Sequence, residues 1–300
     1  MSESDYVYIF PHLPKTAGEF FKCNVETNLR KHLIRASFEH HEPFANYHTK
    51  QTDFYRGRDH FEDYIKSLPD DYKNNIHCVA GHDVYYGIHD LFPHPARYFT
   101  FFREPVSRTI SLYNFERMAW GIYEHLPNPN HFQGILRKRI TDHFLIDGMV
   151  PDFETWLDCG YGRRHTFYCS LSDSLQYLNF LDDKRDQASF ENALNKFYFV
   201  GLTETFDEDA AYLYRLFCVR RFSGNENTSP AFVKLRDLSQ AVINKIEALN
   251  MDDMLLYDCA IRANGLFKKQ TKDFGRKVLQ TKFFQSSLFA MMVSLKQMIL

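Results

Sequence analysis

Residues Tyr6 to Lys22 read Y-V-Y-I-F-P-H-L-P-K-T-A-G-E-F-F-K. The apolar run Val7 to Phe10 predicts a short strand, and Gly18 to about Leu29 predicts a helix that opens directly after the loop. A strand, a tight loop and a helix in that order build an anion cradle. The first turn of a helix carries backbone N–H groups without internal partners at the positive end of its dipole. Thr16, Ala17 and Gly18 keep bulky side chains away from those groups, Thr16 adds a hydroxyl, and Lys15 adds a full charge that can reach over a bound anion. The pattern is not G-x-x-x-x-G-K-[ST], because Lys15 precedes the only glycine of the loop. A purely structural turn is the competing reading of this loop taken alone.

The same alternation continues along the chain. Ile76 to Ala80, Arg97 to Phe102 and Phe197 to Leu202 predict three more buried strands, and such continuous apolar runs fit parallel strands covered on both faces. Helices are expected around Phe61 to Ser67, from Glu104-Pro105 through Met118, from Glu204 to Phe217, at about Ser239 to Leu249 and from Met251 to Arg262. The expected class is α/β, a P-loop-like parallel sheet flanked by helices, with a helical insert at about 119–165 and C-terminal helices. The polar stretch from Arg30 to about Asn75 is assigned no function. The expected domain spans 1–264. The tail, 265–300, is basic and then apolar, and reads either as a helix packed on the body or a second subunit, or as one lying on a membrane surface.

Composition limits the function classes. The 300 residues are 44% hydrophobic and 25% charged with a formal net charge of −2, so no global basic field draws the chain to nucleic acid. No apolar run approaches the roughly 18 to 20 residues of a membrane span, and M-S-E-S-D-Y lacks the basic and apolar regions of a signal peptide, so a cytoplasmic location, with peripheral membrane contact through the tail, is expected. The six cysteines form no C-x-x-C pair; they are read as thiols, with Cys159 and Cys169 as a pair able to bridge in an oxidising compartment. His40 with His41, and His89 with His94, lack the carboxylate or cysteine spacing that would complete a metal site.

A second element sharpens the cradle. In F-R-E-P-V-S-R-T-I-S-L-Y, Arg103 leaves the end of a strand and Ser111 follows two turns into a helix, so the two can close on one phosphate with the fork geometry that arginine supplies. P-K-T-A-G together with this stretch resembles the two signatures of sulfotransferases that use 3′-phosphoadenosine 5′-phosphosulfate (PAPS). The nearest branch is the carbohydrate one, the heparan sulfate 2-O-sulfotransferases and their bacterial relatives. That resemblance implies that Lys15, Thr16, Ala17, Gly18 and the adjoining Glu19 line the 5′-phosphosulfate, while Arg103 and Ser111 hold the 3′-phosphate. It also implies that His82, in A-G-H-D-V-Y-Y-G, is the catalytic base and that Arg163, Arg164 and His165 contact an anionic acceptor, a glycan or glycolipid. A solvated charge pair is the other reading of Arg163 and Arg164. No metal is implied. The similarity continues more weakly through F-Y-F-V-G-L-T-E-T-F to M-D-D-M-L-L-Y-D-C-A, and S-G-N-E-N-T-S is either a loop closing over the nucleotide or a plain surface loop.

The match breaks at Glu19 and Phe20, where the family commonly has Thr or Ser. A carboxylate suits an empty helix N-terminus, yet beside a phosphosulfate it repels the ligand unless it turns aside or pairs with a cation. Three functions stay open: a sulfuryl transferase with His82 as base and Lys15 on the leaving phosphate, a sulfotransferase-like binding protein without activity, and an ATP-dependent P-loop kinase, which the lysine order and the lack of an evident Walker-B aspartate disfavour.

Overall fold

Val7, Tyr8, Ile9 and Phe10 are all buried, which only a strand with a layer on each face allows. The computed structural model describes residues 6–16, 33–36, 57–124, 144–159, 170–216 and 230–271. Within these, β1 (Val7–Pro11), β2 (Leu33–Ala36), β3 (Cys78–Gly81), β4 (Ala96–Phe102) and β5 (Phe199–Leu202) form one sheet in the order β2-β3-β1-β4-β5. Every neighbouring pair is parallel. The class is therefore α/β with an all-parallel sheet flanked by helices, an arrangement compatible with a P-loop-like fold.

The period of two along each strand sorts side chains into two cores. Val7, Ile9 and Val79 face one layer, where they meet Phe61 and Ile65 of α1 (Gly57–Ser67), the single-turn neighbourhood of α2 (Asp70–Lys73), and Leu256 and Ala260. Tyr8, Phe10, Cys78, Ala80, Phe99 and Phe101 face the other, against Ala210 to Tyr214. Gly201 is required where it stands: a Cβ there would lie 2.5 Å from the Phe101 ring, its register partner across β4 and β5.

A third core sits beside the sheet. Val106, Ile110 and Tyr113 of α3 (Pro105–Glu124) pack with Phe153, Trp156 and Leu157 of α4 (Phe153–Cys159) and with Val242 and Ile246. The Tyr113 hydroxyl donates to the Pro151 carbonyl at 2.8 Å, and the Trp156 indole donates to Glu116 at 3.0 Å. Of the expected insert, the described parts are thus the end of α3, a turn bridged between Ile146 and Met149, and α4. The chain continues through α5 (Leu171–Tyr177), α6 (Gln187–Leu194), α7 (Phe206–Leu216), α8 (Gln240–Leu249) and α9 (Met251–Gln270).

Three expectations change. The stretch assigned no function holds the edge strand β2; the residues before Phe199 are not strand, because Phe197 and Tyr198 follow the turn that closes α6; and α9 runs on past Arg262 to Gln270. Its extension is held by Phe267, whose ring meets Tyr198, Phe199 and Tyr212. The predicted helix after Gly18 and the tail beyond Thr271 lie outside the described residues. Among the described residues no helix is long and apolar enough to cross a membrane.

Candidate functional site

Strand order places the site. The chain leaves β1 toward β2 and leaves β4 toward β5, so the order reverses between β1 and β4, the point outside whose carboxyl strand ends open α/β sheets form their binding crevice. Pro11 and Gly81 are register partners at the ends of β1 and β3, and the Thr100 hydroxyl ties β4 to the Pro11 carbonyl at 2.7 Å. Lys15, His82 and Arg103 all follow strands at this edge.

Lys15 stands in the left-handed region at φ 64°, a conformation that costs a residue with a Cβ and is kept where surrounding structure enforces it. Two arginines enforce it. Arg108 donates Nε to the Pro14 carbonyl at 3.0 Å, and Arg103 sends a longer contact, 3.4 Å, to the Lys15 carbonyl. The Lys15 ammonium lies over the Phe115 ring, 4.2 Å from its centroid. Ser111 is one helical turn before Phe115 on α3, hence on the same stripe, and is half-buried. Thr16 is buried, and its hydroxyl donates to the Leu13 carbonyl at 2.8 Å, so it closes the loop on itself. Ala17, Gly18 and Glu19 lie outside the described residues.

Arg103 is the charged wall of the crevice. Burial pulls its guanidinium below the ordinary value, opposed by the charges of Glu204 and Glu104 and reinforced by Arg108. The amides at the start of α3 are already engaged, since the Glu104 carboxylate accepts from Val106 N at 2.8 Å and Ser107 N at 2.7 Å. An anion beside Arg103 must therefore be met by side chains. Glu204 in turn accepts the Glu104 amide at 3.0 Å and the Tyr257 hydroxyl at 2.7 Å, which joins the ends of β4 and β5 to α9.

His82 is held in one tautomer. Its Nδ1 lies 2.7 Å from the His12 carbonyl, which can only accept, so Nδ1 carries the proton and the lone pair of the neutral ring is on Nε2. That is the state a proton acceptor needs. Asp83, the next residue, is 6% exposed, and burial pushes its carboxyl up to about 6.

Beneath the crevice Arg108 is 1% exposed, and its Nη1 lies 4.0 Å from Asp253 Oδ2. The Asp253 carboxylate also accepts from Leu171 N at 2.6 Å, Ser172 N at 2.9 Å and Ser170 Oγ at 3.0 Å. One pair thus couples the β1 loop, α3, α5 and α9. His12, Arg108, Glu204, Tyr257 and Asp253 are not among the residues the sequence singles out. The available signals are faint: His12 continues the period-two stripe of Tyr8 and Phe10, and Arg108 is an arginine between apolar turns of a buried helix.

Arg163, Arg164 and His165, like His40 and His41, lie outside the described residues. His89 Nδ1 lies 2.9 Å from the Tyr98 hydroxyl and His94 Nε2 lies 3.0 Å from the Asn74 carbonyl. Cys159 is an exposed free thiol, while Cys169 lies outside the described residues. A scan of the chain against protein-family models finds no match, and neither does a search among curated proteins.

Proposed function

We propose that the chain has a sulfotransferase fold and moves a sulfuryl group from PAPS to an acceptor hydroxyl. The observation that carries the reading is the fixed His82: an Nδ1–H bonded to the His12 carbonyl leaves Nε2 as proton acceptor at the same sheet edge that presents Lys15 and Arg103.

The chemistry needs little else. The acceptor oxygen attacks sulfur, its proton passes to His82 Nε2, and the bond from sulfur to the 5′-phosphate oxygen breaks, giving a sulfate ester and 3′-phosphoadenosine 5′-phosphate. As in phosphoryl transfer, positioning and charge stabilisation supply most of the rate. Lys15 meets the charge that grows on the leaving phosphate, which requires its ammonium to move off the Phe115 face. Arg103, desolvated by burial at the end of β4, receives the 3′-phosphate with Ser111 of α3. The acceptor class is a glycan or glycolipid hydroxyl, with Arg163, Arg164 and His165 available to an anionic sugar.

Calorimetry with 3′-phosphoadenosine 5′-phosphate, and transfer of labelled sulfate from PAPS to candidate acceptors, test the proposal. Binding together with transfer is expected. Binding without transfer would leave a sulfotransferase-like binding protein, consistent with Glu19 in the loop, and no binding by a folded sample would end both readings. Magnesium-dependent ATP turnover would put a kinase in their place. His82→Ala is expected to keep nucleotide affinity while lowering transfer by roughly 10² to 10⁴-fold.

A further inference from the structure

We propose that His12 is the positioning residue of His82. The inference rests on His82 being the base of the proposed reaction, and it concerns how that ring is aimed. His12 follows β1 directly and is only 4% exposed. Its amide donates to the Gly81 carbonyl at 2.9 Å, extending the β1–β3 ladder by one rung, and its carbonyl receives His82 Nδ1–H at 2.7 Å. The backbone of residue 12 therefore sets the tautomer.

Its side chain sets the plane. The His12 and His82 rings are stacked with centroids 4.2 Å apart and planes 22° from parallel. Behind His12 lies Phe10, stacked at 5.6 Å and 19°, and behind Phe10 lies Phe99 of β4, at 5.0 Å and 4°. Four rings thus run from the centre of the sheet to the crevice, with His82 as the outermost. Phe10 and Phe99 are fully buried, so the far end of the column does not move with the loops. The Nδ1 hydrogen bond fixes one edge of the His82 imidazole. The stacked face restrains the tilt of the ring and keeps Nε2 directed at one point, where the acceptor hydroxyl would arrive.

The column predicts a distinction between ring and chemistry at position 12. His12→Leu, which fills the space without a ring, is expected to lower kcat by roughly 3- to 10-fold with KM for PAPS unchanged, because stacking on one face is lost while the phosphate contacts remain. His12→Phe, which restores a ring to the column, is expected to restore kcat. A second readout does not depend on turnover: nitrogen-15 NMR should show His82 as the Nδ1–H tautomer in every variant, because the residue 12 carbonyl is kept, while carbon-13 relaxation of the His82 ring should show a fixed ring in the wild type, added ring motion in His12→Leu and its suppression in His12→Phe. If His12→Leu fails to fold by circular dichroism, His12→Met, also ringless and of similar volume, takes its place. Unchanged His82 ring relaxation in the folded ringless variant overturns the proposal, whatever the activity. A His82 ring loosened by His12→Leu in a protein without sulfuryl transfer would keep the positioning and discard the reaction.

Discussion

Asp83 is a buried acid beside the proposed base. Its Oδ1 has no hydrogen-bond partner among the described residues, and the residue is 6% exposed. Desolvation disfavours the charged form, which is why its carboxyl is pushed up to about 6 from the model-compound value of 3.8. The sign of the stability effect follows from proton counting. Between 3.8 and about 6 the folded state keeps a proton that the unfolded chain has lost, so stability falls as pH rises through that window. The full loss, on the order of 3 kcal/mol from a shift of about two pH units, is in place at neutral pH. Asp83→Asn removes the charge and keeps the shape. Urea denaturation should find this variant more stable than wild type at pH 7.5 by about 2–3 kcal/mol, with the gap narrowing toward pH 4. A gap independent of pH would show that Asp83 titrates in the folded protein as it does in the unfolded chain.

The elements around the crevice depend on one buried ion pair. Arg108 and Asp253 are 1% and 2% exposed, and each has a second duty: Arg108 holds the Pro14 carbonyl, and Asp253 accepts the first amides of α5. Breaking one partner of a buried pair leaves an uncompensated charge, and losses of about 3–5 kcal/mol are usual. Asp253→Ala should approach that range by chemical denaturation, since it removes the carboxylate from Arg108 and from the Leu171 and Ser172 amides together. A loss below about 1 kcal/mol would mean that water replaces the carboxylate. This coupling marks the limit of what the sequence discloses. β1, β3, β4 and β5 are legible as apolar runs because a doubly covered parallel strand has no polar face. β2 is not, because L-I-R-A is four residues long and shows no period. The extension of α9 through Gly265 is fixed by where Phe267 packs, a tertiary contact that overrides the helix-weakening glycine. At the site, Lys15, His82 and Arg103 stand out as charged or titratable residues at strand ends. Arg108 on Pro14 and His12 on His82 join residues 94 and 70 positions apart, and local patterns carry no record of such pairs.

At the scale of the molecule, the proposed ligand is a multiply charged anion and the chain itself is net negative, at −2. Long-range attraction therefore does not gather the nucleotide, and binding depends on the local field of the switch-point crevice. There Lys15, Arg103 and Arg108 approach one loop from two strand ends and a helix, while Glu104 and Glu204 offset part of the Arg103 charge. An anion bound at that point ties the ends of β1 and β4 to α3, so binding and global stability are coupled. A ligand at about 100 times its Kd adds roughly 2.7 kcal/mol to the folded state, which for a chain of this size raises Tm by several degrees. 3′-Phosphoadenosine 5′-phosphate should produce that rise, adenosine should not, and Arg103→Gln should abolish most of it. The comparison isolates the phosphates as the recognised groups. A rise of equal size with adenosine would place recognition on the base and remove Arg103 from the site, and a rise with magnesium ATP but not with 3′-phosphoadenosine 5′-phosphate would turn the crevice from sulfuryl to phosphoryl chemistry.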